Sequence, residues 1–160
     1  MKNLQPVSIV FTLWIVVAFF ASCGHKAKYF EFREISPEGW TINTVCNYDV
    51  VMDTMQTYNV VVDIRHAGNY PYQNLWLFAE RMSPDSTVVR DTISCDLADY
   101  TGKWLGQGSG SVYLFSVPYH KGKVVVPGKY TYTIRHGMRD ENLQGIYAIG
   151  LRVESQNGEK

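Results

Sequence analysis

The stretch YNVVVDIRH, from Tyr58 to His66, decides the fold class. Val60, Val62 and Ile64 alternate with residues that become polar toward the end of the stretch. Successive side chains of a β-strand point to opposite faces, so apolar residues at every second position indicate a half-buried strand. The stretch therefore predicts a strand that places one face on a hydrophobic core.

Further strand signals lie on both sides of this stretch. They are separated by turn residues such as Ser36-Pro37-Glu38-Gly39 and Pro127-Gly128. The expected strands are 29–34, 42–51, 74–81, 88–97, 112–117, 130–135 and 149–153. About seven to eight short strands without intervening helices predict an all-β domain, an antiparallel β-sandwich of Ig-like or jelly-roll-like type.

The aromatic residues divide into two groups by their surroundings in the sequence. Trp76 lies in an unbroken apolar run, which predicts a strand buried on both faces with the indole in the core. Tyr70, Tyr72 and Trp104 lie in turn-rich or glycine-rich segments instead. Because loops on a rigid sandwich often carry recognition, these three are expected to contribute to a contact surface.

The chain begins with the layout of an export signal. Lys2 is followed by an uncharged apolar run, Val7 to Ala21, which is shorter than the roughly 20 residues of a transmembrane helix. The run ends in Phe20-Ala21-Ser22-Cys23, and two small residues before a cysteine resemble a lipobox, where the thiol is acylated and the chain is cut before Cys23. An ordinary secretory signal or an uncleaved anchor with an incidental Cys23 is the open alternative.

This reading divides the chain into four parts. Residues 1–22 form the cleaved signal peptide, 23–28 the acylated N-terminus and a short linker, 29–154 the β-sandwich, and 155–160 a polar tail. Removing the signal leaves 14 Lys and Arg against 15 Asp and Glu. The mature chain is nearly neutral, which argues against a nucleic-acid partner, and its length suits one domain.

Two cysteines remain after lipidation. Export would place Cys46 and Cys95 where disulfides form, so a bond between them is one reading. The other is that each thiol is a small buried hydrophobic side chain on its own strand. Spacing in the sequence does not decide between these readings.

The sequence offers no catalytic, metal or cofactor site. The glycine-rich segment Gly106 to Gly110 precedes a strand signal and not a helix, which argues against phosphate binding. Neither a nucleophile elbow nor paired metal-ligand spacing is present. We expect His66 and His136, which end strands, to be surface or capping residues. The chain is therefore predicted not to be an enzyme.

Several motifs, in order and spacing, resemble the gliding-motility lipoprotein H family of the Bacteroidota. They are Asn69 to Phe78, Asp91 to Ile93, Leu97 to Gly108, Met138-Arg139, Leu143 to Ile146 and Gly150 to Arg152. The resemblance spans about Tyr29 to Glu154, and the run Gly102 to Gly106 is its most specific part. One departure is His136-Gly137, where the family usually has glutamine and a small residue.

The resemblance implies a non-enzymatic lipoprotein of gliding and the associated type IX secretion machinery. Its partners would be the membrane, through the lipid on Cys23, and other gliding or secretion lipoproteins and envelope proteins. The residues after Cys23 resemble the sorting pattern of a periplasm-facing outer-membrane lipoprotein. The candidate interaction surface comprises Tyr70, Tyr72, Asn74, Lys103, Trp104, Gln107, Met138 and Arg139. A carbohydrate-binding accessory lipoprotein that uses Trp104, Tyr70 and Tyr72 is the alternative.

Overall fold

A computed structural model describes residues 27–52, 55–124 and 126–156, and this part of the chain is built from β-strands. The strands are β1 (Tyr29–Glu34), β2 (Trp40–Thr41), β3 (Cys46–Met52), β4 (Thr57–Ala67), β5 (Asn74–Met82), β6 (Val88–Asp96), β7 (Gln107–Ser109), β8 (Val112–Lys123), β9 (Gly128–His136), β10 (Asn142–Leu143) and β11 (Ile146–Gln156). The prediction of an all-β antiparallel fold is confirmed.

The strands form two main sheets and one short ribbon. The larger sheet has the order β1-β11-β4-β8-β7, the smaller one has the order β3-β9-β5-β6, and β10 pairs with β2. Every pairing is antiparallel. The first and last strands are neighbours, with Tyr29 opposite Val153 and Glu34 opposite Ala148. Both ends of the described chain therefore belong to the same sheet.

Alternate residues of the two sheets fill the core. Val60, Val62 and Ile64 of β4 are buried, as are Leu75 and Leu77 of β5. Burying an aliphatic side chain of this size contributes roughly 1.5–3 kcal/mol. This alternation is the reason that the period-two pattern in the sequence becomes a strand with one face on the core.

The sandwich has two ends, at which the strands begin and finish and the loops connect them. The N-terminal end carries Lys28, the hairpin 83–87 and the end of β8 at Lys123. The far end carries the loops 35–45, 68–73 and 97–106 and the segment 137–145. Since β4 has 11 residues, the two ends lie about 33 Å apart at roughly 3.3 Å per strand residue.

Some details of the strands differ from the prediction. The eight long strands were expected, whereas β2, β7 and β10 were not. Part of the glycine-rich segment Gly106 to Gly110, which is not among the expected strands, forms β7 and pairs with β8. The expectation that β5 is buried on both faces is wrong: its residues alternate, with Leu75 and Leu77 inside and Trp76 and Phe78 outside.

The two cysteines are free and buried. Cys46 lies on β3 and Cys95 on β6, and β9 and β5 lie between these strands in the same sheet. Three strand spacings amount to about 14 Å, whereas a disulfide requires Cα atoms within roughly 7 Å. Cys46 and Cys95 are therefore two separate buried thiols, and no disulfide joins them.

The predicted signal peptide, 1–22, and Cys23 lie outside the described residues. In the part that the structure describes, no helix is long and apolar enough to cross a membrane. The predicted polar tail begins at residue 155, but β11 continues to Gln156.

Candidate interaction surface

Two large aromatic side chains stand on the outer face of β5 near the far end. Trp76 and Phe78 are each 41% exposed. Their neighbours Leu75 and Leu77 are fully buried, so the pleat of the strand directs Trp76 and Phe78 toward solvent. Large exposed apolar side chains that lie together on a surface are typical of an interaction site.

These side chains form part of a groove with a volume of about 540 Å³. We call it the Trp76 groove and define it by six of its residues, Tyr72, Asn74, Trp76, Phe78, Met138 and Arg139. One wall comes from the loop before β5 and the other from the segment after β9. The groove therefore lies where that segment crosses the exposed face of the smaller sheet.

Main-chain contacts hold the second wall against β5. The Gly137 amide donates to the Trp76 carbonyl at 2.7 Å, and the Trp76 amide donates to Met138 Sδ at 3.4 Å. A Cβ at position 137 would lie 2.9 Å from Cε2 of Phe78. Any side chain at position 137 would displace the Phe78 ring, whereas glycine lets the backbone approach the ring this closely.

A polar contact fixes the end of the groove. The Tyr72 hydroxyl donates to Asp140 Oδ2 at 2.8 Å. This hydrogen bond raises the pKa of Tyr72, since the carboxylate stabilises the protonated phenol. One oxygen of the Asp140 carboxylate is thus hydrogen-bonded to Tyr72 in the wall of the groove.

The rim carries positive charge. The guanidinium of Arg135 lies 5.2 Å from the centre of the Phe78 ring, and Arg139 is exposed. Among the described residues, neither arginine has a carboxylate oxygen within salt-bridge distance. The groove thus combines an apolar floor with guanidinium groups that have no carboxylate partner.

The structure brings together half of the predicted surface. Tyr72, Asn74, Met138 and Arg139 line the Trp76 groove, although they come from segments far apart in sequence. Lys103 is exposed in the far-end loop outside the groove. Gln107 lies on β7 and borders a separate depression on the larger sheet. The last two residues therefore do not extend the groove.

Tyr70 and Trp104, predicted to be contact residues, are instead structural. Tyr70 is only 4% exposed, and its hydroxyl donates to the Asn74 carbonyl at 3.2 Å. The Trp104 indole donates to the Gly68 carbonyl at 3.1 Å. Both segments fold back over the far end of the core, so these side chains seal that end and present little aromatic surface to a ligand.

Both aromatic residues pack around a buried histidine. The ring centroid of His66 lies 4.6 Å from that of Trp104 and 5.6 Å from that of Tyr113. We call His66, Tyr70, Trp104 and Tyr113 the His66 cluster. Burial lowers the pKa of His66 because desolvation disfavours the charged ring.

The expectation that His66 and His136 lie at the surface is wrong, since both are fully buried. His136 ends β9 as predicted, and His66 lies one residue before the end of β4, but the loops of the far end cover both. His136 packs edge-on against Trp40, with ring centroids 5.2 Å apart. In the parts of the chain that the structure describes, no group of three or more His, Cys, Asp or Glu side chains could hold a metal ion.

Sequence reasoning missed Trp76 and Phe78. The signal that could have found them is the position of Leu75 and Leu77 at every second residue, which allows a strand buried on one face only. Arg135 was also missed. It lies on the exposed face of β9 opposite Phe78, which no local pattern indicates.

Comparison with known proteins gives consistent matches over the described domain. The family model described as GldH lipoprotein matches residues 27–153. A protein of Christiangramia forsetii named "Gliding motility lipoprotein GldH homolog" is 30% identical over 157 residues, 92% of this chain and 96% of the relative. The "Gliding motility lipoprotein GldH" of Flavobacterium johnsoniae is 28% identical over 144 residues, 85% of this chain and 89% of the relative.

Solved structures are more distant. A family GH115 4-O-methyl-alpha-glucuronidase matches with a TM-score of 0.40 and 12% identity, covering 85% of this chain and 18% of that one. A likeness at this level carries no functional argument. The family match extends over nearly the whole described domain, and on that ground the chain belongs to the GldH lipoprotein family.

Proposed function

We propose that this chain is a lipoprotein of the outer membrane that supports gliding motility and the associated type IX secretion machinery. It would be acylated at Cys23, face the periplasm and act through contacts with other envelope proteins, without catalysis. The family match and the names of the two relatives support a lipoprotein of gliding motility. The small residues before Cys23 support acylation there.

The observation that carries the contact hypothesis is the Trp76 groove. Trp and Arg are enriched among the residues that dominate binding energy at protein interfaces, and the groove offers Trp76 beside Arg139. It lies at the far end, opposite the residues that follow the proposed lipid anchor. A partner could therefore reach it while the anchor occupies the membrane.

The chemistry of the groove defines the partner segment. Its floor of Trp76, Phe78 and Met138 suits an apolar side chain, and the guanidinium groups on its rim suit a carboxylate. An Arg–carboxylate pair adds directional hydrogen bonds to the burial of apolar surface. We therefore propose that the groove binds a segment of an envelope protein that carries an apolar residue next to an acidic one.

Replacing Trp76 in the native gene tests this function. Trp76→Ala should reduce the recovery of cross-linked envelope partners about tenfold or more, the effect of removing a residue that contributes over 1.4 kcal/mol to binding. Colony spreading and secreted protein should fall with it. Met82→Ala is the matched control, since Met82 is also 41% exposed on the same strand but lies outside the groove.

Two results would contradict the proposal. Equal partner recovery from the Trp76→Ala and Met82→Ala strains would remove the groove as the contact surface. Mass spectrometry of the membrane-extracted protein provides the second test, since an unmodified Cys23 would remove the anchor. Both measurements use the same preparation. Partner recovery tests the groove and mass spectrometry tests the anchor, so either part of the proposal can fail without the other.

The carbohydrate-binding alternative loses two of its three residues, since Tyr70 is buried and the Trp104 ring packs on His66. Stacking on a sugar would require an exposed ring face, and Trp76 offers one in the groove. Saturable glycan binding that Trp76→Ala abolishes would favour this alternative over a protein partner.

A further inference from the structure

The described lysines are concentrated at the N-terminal end. Lys28 precedes β1, Lys121 and Lys123 end β8, and Lys129 begins β9. In the described part of the chain, only Lys103 is a lysine of the far end. The nearly equal numbers of acidic and basic residues therefore hide an uneven distribution of charge.

Of three described acids near this end, two are in ion pairs and the third, Asp85, keeps its charge. Asp85 accepts a hydrogen bond from the Thr87 amide at 3.0 Å, Glu154 pairs with Arg152, and Asp49 pairs with Lys129 at 3.3 Å.

Within the described ranges, Lys121 and Lys123 have no carboxylate oxygen at salt-bridge distance. The far end, by contrast, carries acids on several segments: Glu34, Glu38, Asp96, Asp99, Asp140 and Glu141. The lysines are therefore polarised along the strands, with the ammonium groups of Lys121 and Lys123 available at the N-terminal end. Lys28 at the same end donates a hydrogen bond to the Tyr58 hydroxyl at 3.2 Å, and the cations of the groove at the far end are guanidinium groups.

The tether places this end near the bilayer. Only four peptide bonds separate Cys23 from Ala27, the first described residue, so the link spans at most about 14 Å when fully extended. Electrostatic attraction in physiological salt decays over about 8 Å. A domain on so short a link samples orientations in which its lysines lie within reach of the lipid headgroups.

We propose that the N-terminal end of the sandwich docks on anionic phospholipid headgroups through Lys28, Lys121 and Lys123. Met55, which is 63% exposed in the loop between β3 and β4, adds an apolar side chain to this surface. Docking turns the Trp76 groove away from the membrane. The proposal rests on the acylation of Cys23 and adds an orientation to it.

Depth-dependent quenching of a fluorescent label tests the orientation. The full acylated protein is reconstituted into vesicles that contain phosphatidylglycerol and a quencher attached to the headgroups. One sample carries the label at Met55→Cys and another at Tyr100→Cys, since Tyr100 is 95% exposed at the far end. Burial raises the pKa of Cys46 to about 11 and that of Cys95 to about 12. These two thiols therefore stay protonated and unreactive, and the label reacts with the exposed thiol that the substitution introduces.

Quenching should be strong at position 55 and weak at position 100. Lys121→Glu with Lys123→Glu should lower the ratio of docked to undocked protein by at least about fivefold for each lysine, and neutral phosphatidylcholine vesicles should do the same. Lys103→Glu makes the same charge change at the far end and should leave the quenching pattern unaltered.

Equal quenching at the two positions, or a pattern that the paired substitution and the lipid charge do not affect, would overturn the docking proposal. Mass spectrometry of the same vesicles separates this failure from that of the anchor. An acylated Cys23 with equal quenching refutes docking alone, whereas an unmodified Cys23 refutes both proposals.

Discussion

The His66 cluster and the Trp76 groove lie at the same end of the molecule and are both rich in aromatic residues, yet they differ in exposure. In the cluster, Tyr70 and Trp104 come from loops and are packed over the core. In the groove, Trp76 and Phe78 come from a regular strand and face solvent. The two loop aromatics of the cluster are thus structural here, and the two strand aromatics of the groove form part of the candidate binding surface.

The difference shows that exposure depends on what covers a residue. Loops at the end of a sandwich must close the gap between the sheets, and large rings in those loops do so efficiently. A strand of a two-layer fold has only one covered face. The two regions should accordingly respond to substitution in opposite ways, one through stability and the other through binding.

The largest expected difference is between two tryptophan substitutions. Trp104→Ala should lower the free energy of unfolding by about 3 kcal/mol, because it leaves a cavity beside His66 and an unpaired Gly68 carbonyl. Trp76→Ala should lower it by less than about 1 kcal/mol. Urea titrations of both variants measure this, and similar losses would mean that the comparison is wrong.

The second-largest expected effect is a loss of folding stability at acidic pH, through the His66 cluster. The folded pKa of His66 is lowered by burial, so below the unfolded value of about 6.5 the unfolded chain binds a proton that the folded chain does not. The contribution of His66 to the free energy of unfolding should be fully present above that pH. Below it, this contribution should fall by up to about 1.4 kcal/mol per pH unit.

Urea titrations of His66→Leu at several pH values isolate this contribution, since the remaining dependence then comes from other groups such as His136. Trp76→Ala is the control for the groove and should retain the full dependence on pH. A His66→Leu variant with an unchanged pH dependence would show that His66 takes up its proton equally well in the folded state.

A smaller effect is expected for the tyrosine hydroxyls. Tyr70→Phe removes a hydrogen bond to the Asn74 carbonyl in a buried setting and should cost about 1 kcal/mol. Tyr72→Phe removes the bond to Asp140 at the more exposed groove and should shift the unfolding midpoint less. If Tyr72→Phe lowered the unfolding midpoint more than Tyr70→Phe, the groove would contribute more to stability than the cluster, and the comparison would be wrong.

The smallest expected change in stability comes from Gly137→Ala. The new Cβ meets the outer edge of the Phe78 ring, which can turn toward solvent, so the loss should stay below about 1 kcal/mol. Because the displaced ring occupies the groove, recovery of cross-linked partners should still fall. Unchanged recovery would show that Phe78 is outside the contact.

The long strands could be predicted because their pattern is local. Alternation in β4, β9 and β11 is sufficient to assign each of them without reference to the rest of the chain. The ribbon of β2 and β10 could not be predicted this way, since each strand has two residues. It exists because the buried side chains of Trp40 and Leu143 bring the two segments together.

The candidate site was only partly predictable for a related reason. The family motifs indicated Tyr72, Asn74, Met138 and Arg139, which the structure brings together at the groove. The apolar run around Trp76 is compatible with burial on one face or on both, and only the arrangement of the sheets decides between them. No described strand covers the outer face of β5, and this fact is not contained in any single segment.

The pairing of the first strand with the last has a mechanical consequence. A force applied between the start of β1 and the far end of the sandwich runs along the strand axis. It loads the backbone hydrogen bonds from Tyr29 to Glu34 together, in shear, since these residues pair with β11 in one continuous register. A strand pulled sideways would lose the same bonds one after another. The geometry therefore suits a domain that transmits tension from its N-terminus without unravelling.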